Sequence, residues 1–146
     1  MCHKAGKKLI VNHEIVGGLG ADKTAFKLLK KMYQVDCVMG SSSIRLAMLK
    51  REGLPTIQRA TLSDCFSVEQ VLENMQDSKA DVVELRPAYY AVRFLKEFQK
   101  RKDCCYIAGG FIDTKEMADA VCQAGFTGIT TSCVDLWGYQ PENSRD

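Results

Sequence analysis

The chain has no apolar run approaching the length of a membrane span. No apolar stretch follows its N-terminus as a signal peptide would. It has little net charge, +2 at pH 7, too small by itself to imply a nucleic-acid partner. It lacks any C-x-x-C pair, and its seven cysteines are an odd number for a disulfide framework. No G-x-G-x-x-G follows the first predicted strand, which argues against a Rossmann sheet. No G-x-x-x-x-G-K-[ST] occurs either, so the glycines of Ile15-Val-Gly-Gly-Leu-Gly20 are only a weak phosphate signal. No lysine ends a predicted strand, which argues against a Schiff-base aldolase. What remains is an ordinary globular domain of 146 residues, 46% hydrophobic and 26% charged. Cys37, Cys104, Cys105 and Cys133 fall in or beside predicted strands and read as small buried residues in a reducing cytoplasm. Cys104 and Cys105, adjacent on a strand, point to opposite faces and do not form a metal pair. No metal site is expected.

The most informative stretch is Cys104 to Trp137. A short apolar run ends at Gly109-Gly110, as expected for a strand covered on both faces. Asp113-Thr-Lys-Glu116 has the spacing of a capping box, and Gly125 that of a helix stop. Thr127-Gly-Ile-Thr-Thr131 is the next strand, with Ser132 placed to cap a short final helix. Either turn alone is explained as a tight turn or a cap. Two such turns, one βα unit apart, point to a phosphate site. Glycine admits a ligand oxygen close to the backbone, and a helix N-terminus with hydroxyls favours an anion. In (β/α)8 barrels such a site follows strands 7 and 8.

The rest of the chain repeats the pattern. Gly6 reads as the end of a helix. Strands are predicted to begin at Lys8, Asp36, Pro55, Asp81, Cys104 and Thr127. Helices are predicted over Asp22 to Gln34, with Ala25, Leu28, Leu29 and Met32 inward; from Ser41-Ser42-Ser43 to Glu52; from Ser67, the start of a capping box, to about Asp77; and over Ala88 to Lys102, with Val92, Leu95 and Phe98 inward. Alternating strands and helices mean βα units and a parallel sheet. The expected fold is therefore α/β and TIM-barrel-like: six βα units of an expected eight, the N-terminal two missing, in one domain over residues 1–137 with a flexible tail at 138–146. Such a sheet is open at the strands beginning at Lys8 and Thr127, and open edges invite association into a homo-oligomer.

Candidate site residues cluster at predicted strand ends, the functional face of a barrel. They are Asn12, His13 and Glu14; Ser41 and Ser42; Gln58, Arg59 and Asp64; Glu84 and Arg86; Gly109 and Gly110; Thr131 and Ser132. His13 and Glu84 could form an acid–base pair, or His13 is structural. Glu84 on an apolar strand needs a partner, and Arg59 is a candidate. Lys27, Lys30 and Lys31, with Arg93, Lys96 and Lys100, form basic helix stripes. Such stripes are ordinarily solvated faces, with RNA contact the alternative.

Lys7-Lys8-Leu-Ile, Ile57-Gln58-Arg59, Asp81-Val-Val-Glu-Leu-Arg-Pro87, Ala108-Gly-Gly110 and Thr130-Thr-Ser-Cys-Val-Asp-Leu-Trp137, in this order and spacing, resemble the glycerol-3-phosphate-responsive antiterminator family. The resemblance runs from about Gly6 to Trp137. It implies a TIM-barrel-like regulator rather than an enzyme, with glycerol 3-phosphate as effector, no cofactor, and leader mRNA of glycerol-metabolism operons as partner. It also implies that Gly109, Gly110, Thr131 and Ser132 contact the phosphate, while Gln58, Arg59, Asp64 and Glu84 line the pocket. The alternatives from the residues alone are a phosphate-ester isomerase or lyase on the same fold, or an inactive truncated relative.

Overall fold

The structure is a computed structural model that describes residues 2–20 and 22–141. Six strands alternate with five α-helices: β1 (Ile10–Asn12), α1 (Lys23–Lys31), β2 (Cys37–Gly40), α2 (Ser43–Arg51), β3 (Thr56–Thr61), α3 (Cys65–Met75), β4 (Val82–Arg86), α4 (Ala88–Arg101), β5 (Cys105–Gly109), α5 (Lys115–Ala124) and β6 (Gly128–Thr130). The strand order is β1-β2-β3-β4-β5-β6. Sequential order with helical crossovers is the arrangement of neighbouring barrel strands; a doubly wound sheet reverses direction partway. The expected (β/α) repeat is therefore present, with β1 and β6 ending the order.

Every strand begins one or two residues later than its hydrophobic pattern predicts. The residues just before several strands are instead used as ties. Asp36, ahead of β2, accepts the Leu9 N–H at 2.7 Å and meets His3 Nε2 at 2.7 Å and Lys8 Nζ at 3.3 Å. Asp81, ahead of β4, accepts the Thr56 N–H at 2.9 Å and Oγ1–H at 3.1 Å, and the Lys50 ammonium at 2.6 Å. Thr127, ahead of β6, donates its N–H and its hydroxyl to the Tyr106 carbonyl, each at 2.9 Å. At the N-terminal side of a parallel pair the first backbone groups lack ladder partners, and these side chains supply them.

The described chain divides into two compact units. The first comprises Met1–Arg59 and Ser78–Val82. Its core is Phe26, Leu29, Val35, Val38, Leu46, Leu49 and Leu54. In α1 the buried face is Ala25, Phe26 and Leu29. Leu28 and Met32, expected inward, are 38% and 60% exposed. Ala25 and Phe26, four and three residues before Leu29, define the buried stripe with it, and Leu28 and Met32 fall on its flank. Asp22 caps α1, accepting the Ala25 N–H at 2.9 Å.

The second unit comprises Ala60–Asp77 and Val83–Asp146. Its core includes Val68, Met75, Val83, Leu85, Leu95, Phe98, Tyr106, Ala108 and Val121. Val83, Leu85 and Ala108 all join this cluster, so the alternate positions Glu84 and Gly109 lie on the opposite strand face. Three predicted helix starts shift. The cap of α3 is Asp64, reciprocated by Ser67 at the third helical position, so the helix begins before Ser67. The cap of α5 is Thr114, one residue after Asp113. The short 3-10 turn Val134–Leu136 follows Cys133, so Ser132 is not its cap. Gly125 ends α5 in the left-handed conformation as expected, φ 102°. Of the predicted tail, residues 142–146 lie outside the described residues. Tyr139 within it is half-buried and its hydroxyl donates to Asp119.

Asp36 titrates at about 2, because the Leu9 amide, the His3 side chain and Lys8 all favour its charged form. Asp81 is also lowered: burial, the largest effect, opposes the shift, but Lys50 and the Thr56 donors outweigh it. A lowered folded-state value gives stability that is full above the ordinary carboxylate pKa of about 3.9 and is lost as pH falls through the folded value. The melting temperature should therefore drop steeply between roughly pH 4 and pH 2. Asp36→Asn should flatten part of that drop, as measured by thermal melts across pH.

Candidate functional site

The polar residues of β4, β5 and β6 meet on the face away from the helices. Glu84 is 1% exposed, and its Oε1 accepts the Thr130 hydroxyl at 2.5 Å. Gly109 lies on β5, paired in register with Thr130. A Cβ at Gly109 would sit 2.6 Å from Glu84 Oε1 and collide with Thr130 Oγ1. Glycine is thus needed at 109 so that β4 and β6 can share a hydrogen bond across β5. This is a structural demand on Gly109, whatever ligand approaches it.

Arg86, two residues beyond Glu84, shares its strand face. Its Nη2 lies 3.6 Å, and its Nε 3.7 Å, from where a Gly110 Cβ would be. Gly110 itself has φ +78°, a conformation that side chains resist. Its carbonyl accepts the Ala88 N–H at 3.2 Å, which ties the start of α4 to the Gly-Gly turn. A half-buried guanidinium beside a bare backbone turn is chemically suited to an oxyanion.

Thr131 and Ser132 behave differently from each other. The Thr131 hydroxyl donates to the Ile112 carbonyl at 2.5 Å and accepts the Cys133 N–H at 2.9 Å. It fastens the turn after β6 to the loop after β5. Ser132 is exposed beside it. Asp64 is committed as the cap of α3, accepting the Ser67 N–H at 2.7 Å. It also lines a cleft of about 240 Å³ with Leu62, Val68, Tyr90, Arg93 and Phe94. Pattern reading of the sequence did not find that cleft, because its walls come from separate helices.

In the first unit, β3 runs on to Thr61, so Gln58 and Arg59 lie mid-strand rather than at its end. Gln58 is buried, and its Oε1 accepts the Ser78 hydroxyl. Ser78 lies before β4, at the opposite end of the strands from the functional face. Arg59 is half-buried, with Nη2 at 2.8 Å from Met39 Sδ. Asn12 accepts the Glu14 N–H at 3.1 Å. Glu14 Oε1 accepts the N–H groups of Ser41 at 2.8 Å and Ser42 at 3.1 Å. The Ser42 hydroxyl caps α2, accepting from Arg45 N at 3.4 Å. His13 is buried, and its Nε2 has no hydrogen-bond partner among the described residues. Burial, assisted by the Arg45 charge and opposed by Glu14, lowers its pKa. Burial would raise that of Glu14, but the Ser41 and Ser42 amides with the Ser41 side chain bring it below the ordinary range.

Thr130 is the residue the sequence reading missed. The strand pleat was the available signal: Glu84, Gly109 and Thr130 alternate with core residues, whereas Thr131 lies beyond its strand. All seven cysteines are free, and no group of metal-ligating side chains occurs among the described residues. No described helix is long and apolar enough to cross a membrane.

Fold and site together define a parallel (β/α) repeat of the TIM-barrel kind with a cationic, glycine-bared turn at its strand ends. The chain belongs to the glycerol-3-phosphate responsive antiterminator family, which matches residues 1–137. It is similar to a solved glycerol uptake operon antiterminator regulatory protein from Listeria monocytogenes, with 26% identity, TM-score 0.83, and coverage of 94% of this chain and 74% of that one. A glycerol uptake operon antiterminator-related protein from Thermotoga maritima has 28% identity and TM-score 0.82, over 94% and 77% of the two chains. The uncharacterized protein YgcP of Escherichia coli is 22% identical over 91% of this chain and 69% of its own. N-acetylneuraminate lyase from Mycoplasma synoviae shares the fold alone, with 8% identity and TM-score 0.57 over 86% and 52% of the chains.

Gly109→Ala should break the Glu84–Thr130 hydrogen bond by intrusion and cost about 1–3 kcal/mol, the range for stranding a buried polar group. Thr130→Val removes the same bond. The double variant should therefore cost less than the sum of the two, as read from denaturant unfolding.

Proposed function

We propose that this protein is a cytoplasmic transcription antiterminator that responds to glycerol 3-phosphate and acts on leader mRNA of glycerol-metabolism operons. Membership of the antiterminator family across residues 1–137 supports the reading, as do the names of the two solved relatives. Within the molecule, one observation carries it: the Arg86 guanidinium lies beside Gly110 at the β5–α5 turn. A phosphate monoester needs a fixed cation and closely approachable backbone, and this turn offers both. Gly109 keeps the turn in place through the Glu84–Thr130 bond, and Ser132 stands exposed nearby as a further donor. Binding of this kind calls for no metal or organic cofactor. An isomerase or lyase would instead require an acid or base that substrate can reach. Glu84 is 1% exposed, with Oε1 held by Thr130. The exposed basic residues Lys27, Lys30 and Lys31 on α1, and Arg93, Lys96 and Lys100 on α4, are the candidate RNA contacts.

Glycerol 3-phosphate, but not glycerol, should raise the melting temperature. Ligand at one hundred times its Kd stabilises the native state by about 2.7 kcal/mol. Arg86→Ala should abolish the shift without straining the backbone, and Gly110→Val should abolish it by closing the turn. Equal shifts with glycerol and its phosphate, or none with either, would remove the basis for this reading and favour an inactive relative.

Leader RNA binding with the effector present should weaken steeply with salt, as counterion release demands. Reversing charge at Lys96 and Lys100 should reduce the slope of log K against log salt by about 1–2. A salt-insensitive affinity in the parent protein would rule out the helix stripes as the contact face.

A further inference from the structure

The first unit carries a second feature of the same chemistry, independent of the Gly109-Gly110 turn. The turn into α2, a helix of nine residues capped by Ser42, places the N–H groups of Ser41 and Ser42 side by side. A single carboxylate oxygen, Glu14 Oε1, accepts both, at 2.8 and 3.1 Å. Immediately beside it is a group whose needs are unmet. His13 is 7% exposed, and its Nε2 has no partner among the described residues. A Cβ on Gly40 would lie 2.5 Å from His13 Nε2 and 3.3 Å from Glu14 Oε1. The imidazole and the carboxylate oxygen thus both sit against Gly40, and only glycine there lets the ring approach the backbone so closely. Arg45, in the first turn of α2, is close enough for its charge to bear on His13.

We propose that the α2 N-terminus together with His13 is an oxyanion site for a phosphate group, and that the chain's own Glu14 occupies it as a stand-in. A carboxylate oxygen satisfies the two amides and leaves His13 Nε2 without a partner. A tetrahedral oxyanion has enough acceptor oxygens for the two amides, the imidazole and the Arg45 charge together. A buried polar atom without a partner is rare enough in native structures to require a reason, and a displaced ligand supplies it. Glu14 is also well placed to leave. It is exposed, and it opens the loop to Gly20, in which a Cβ at Gly17 or Gly18 would touch nothing within 4 Å. The Glu14 side chain can turn out to solvent without moving Leu19, which packs on the core near the far end of that loop. While in place, Glu14 competes at the high effective concentration of an attached group, so only an anion that also uses His13 displaces it.

The test compares the parent chain with Glu14→Ala, using inorganic phosphate and glycerol 3-phosphate as separate probes. At about 10 mM of either, the melting temperature of Glu14→Ala should rise by roughly 3 °C more than that of the parent. Only two histidines are present, so the His13 ring is readily followed by NMR. Its Nε2 resonance should move on phosphate addition in the variant and stay fixed in the parent at the same concentration. If Glu14→Ala does not fold, Glu14→Gln retains an amide oxygen for the two N–H groups without the charge and should give the same ordering with smaller shifts. Repeating the titration in Arg86→Ala separates the two sites: the Glu14-dependent response must persist there even though the Gly110 turn is disabled. Equal responses in parent and Glu14 variants, or a His13 resonance indifferent to phosphate in all of them, would overturn the proposal.

Discussion

Within the second unit, one buried carboxylate constrains everything around it. Glu84 sits on a strand whose neighbouring residues, Val83 and Leu85, are wholly buried. A polar side chain buried in that position is tolerable only with hydrogen-bond partners in place. The Thr130 hydroxyl is one, and it lies two strands away. The bond passes over β5, so the residue between must have no side chain, and Gly109 follows. Once 109 is glycine and β5 ends there, the next residue turns sharply with positive φ, and Gly110 brings the backbone beside Arg86. The turn proposed to bind phosphate is thus a consequence of how the carboxylate is satisfied.

The same economy recurs among the other polar residues at the strand ends. Asp64 caps α3, Thr131 clamps the turn after β6, and Glu14 closes the start of α2, while Gln58, in mid-strand, holds Ser78. Each looks like a ligand contact when strand ends are read from sequence, and each has a structural partner in the fold. The opposite ends of the strands are held by Asp36, Asp81 and Thr127, which take up backbone groups that a parallel ladder leaves unpaired. Stabilising contacts at that end of the strands are what a (β/α) barrel leads one to expect.

A fold of this kind hosts binding proteins and enzymes alike, and the solved structures similar to this chain include both. What separates the cases is whether the strand-end groups are free to exchange protons with a substrate or are committed to holding shape. Here the strongest acid–base candidate is buried and bonded, while the exposed chemistry is cationic and glycine-bared. Such a site suits recognition of an anion.

The sequence by itself determined the alternation of six strands with five helices, the parallel class, the glycine stop at Gly125, and the pairing of a Gly-Gly turn with a hydroxyl-rich turn. These depend on local periodicity and backbone preference, which neighbouring residues carry. The family was legible too, because its motifs run through nearly the whole chain in fixed order. Tertiary structure decided the rest. It moved the caps of α3 and α5 to Asp64 and Thr114, because a cap is chosen by which side chain reaches an amide, and several were close enough to compete. It put Phe26 rather than Leu28 in the core and left Gln58 and Arg59 in mid-strand. Above all it chose the partners of Glu84 and Glu14, forty-six and about twenty-eight residues distant in the chain. No local pattern encodes such pairs; they exist only once the strands are side by side and a carboxyl oxygen meets a donor from another element.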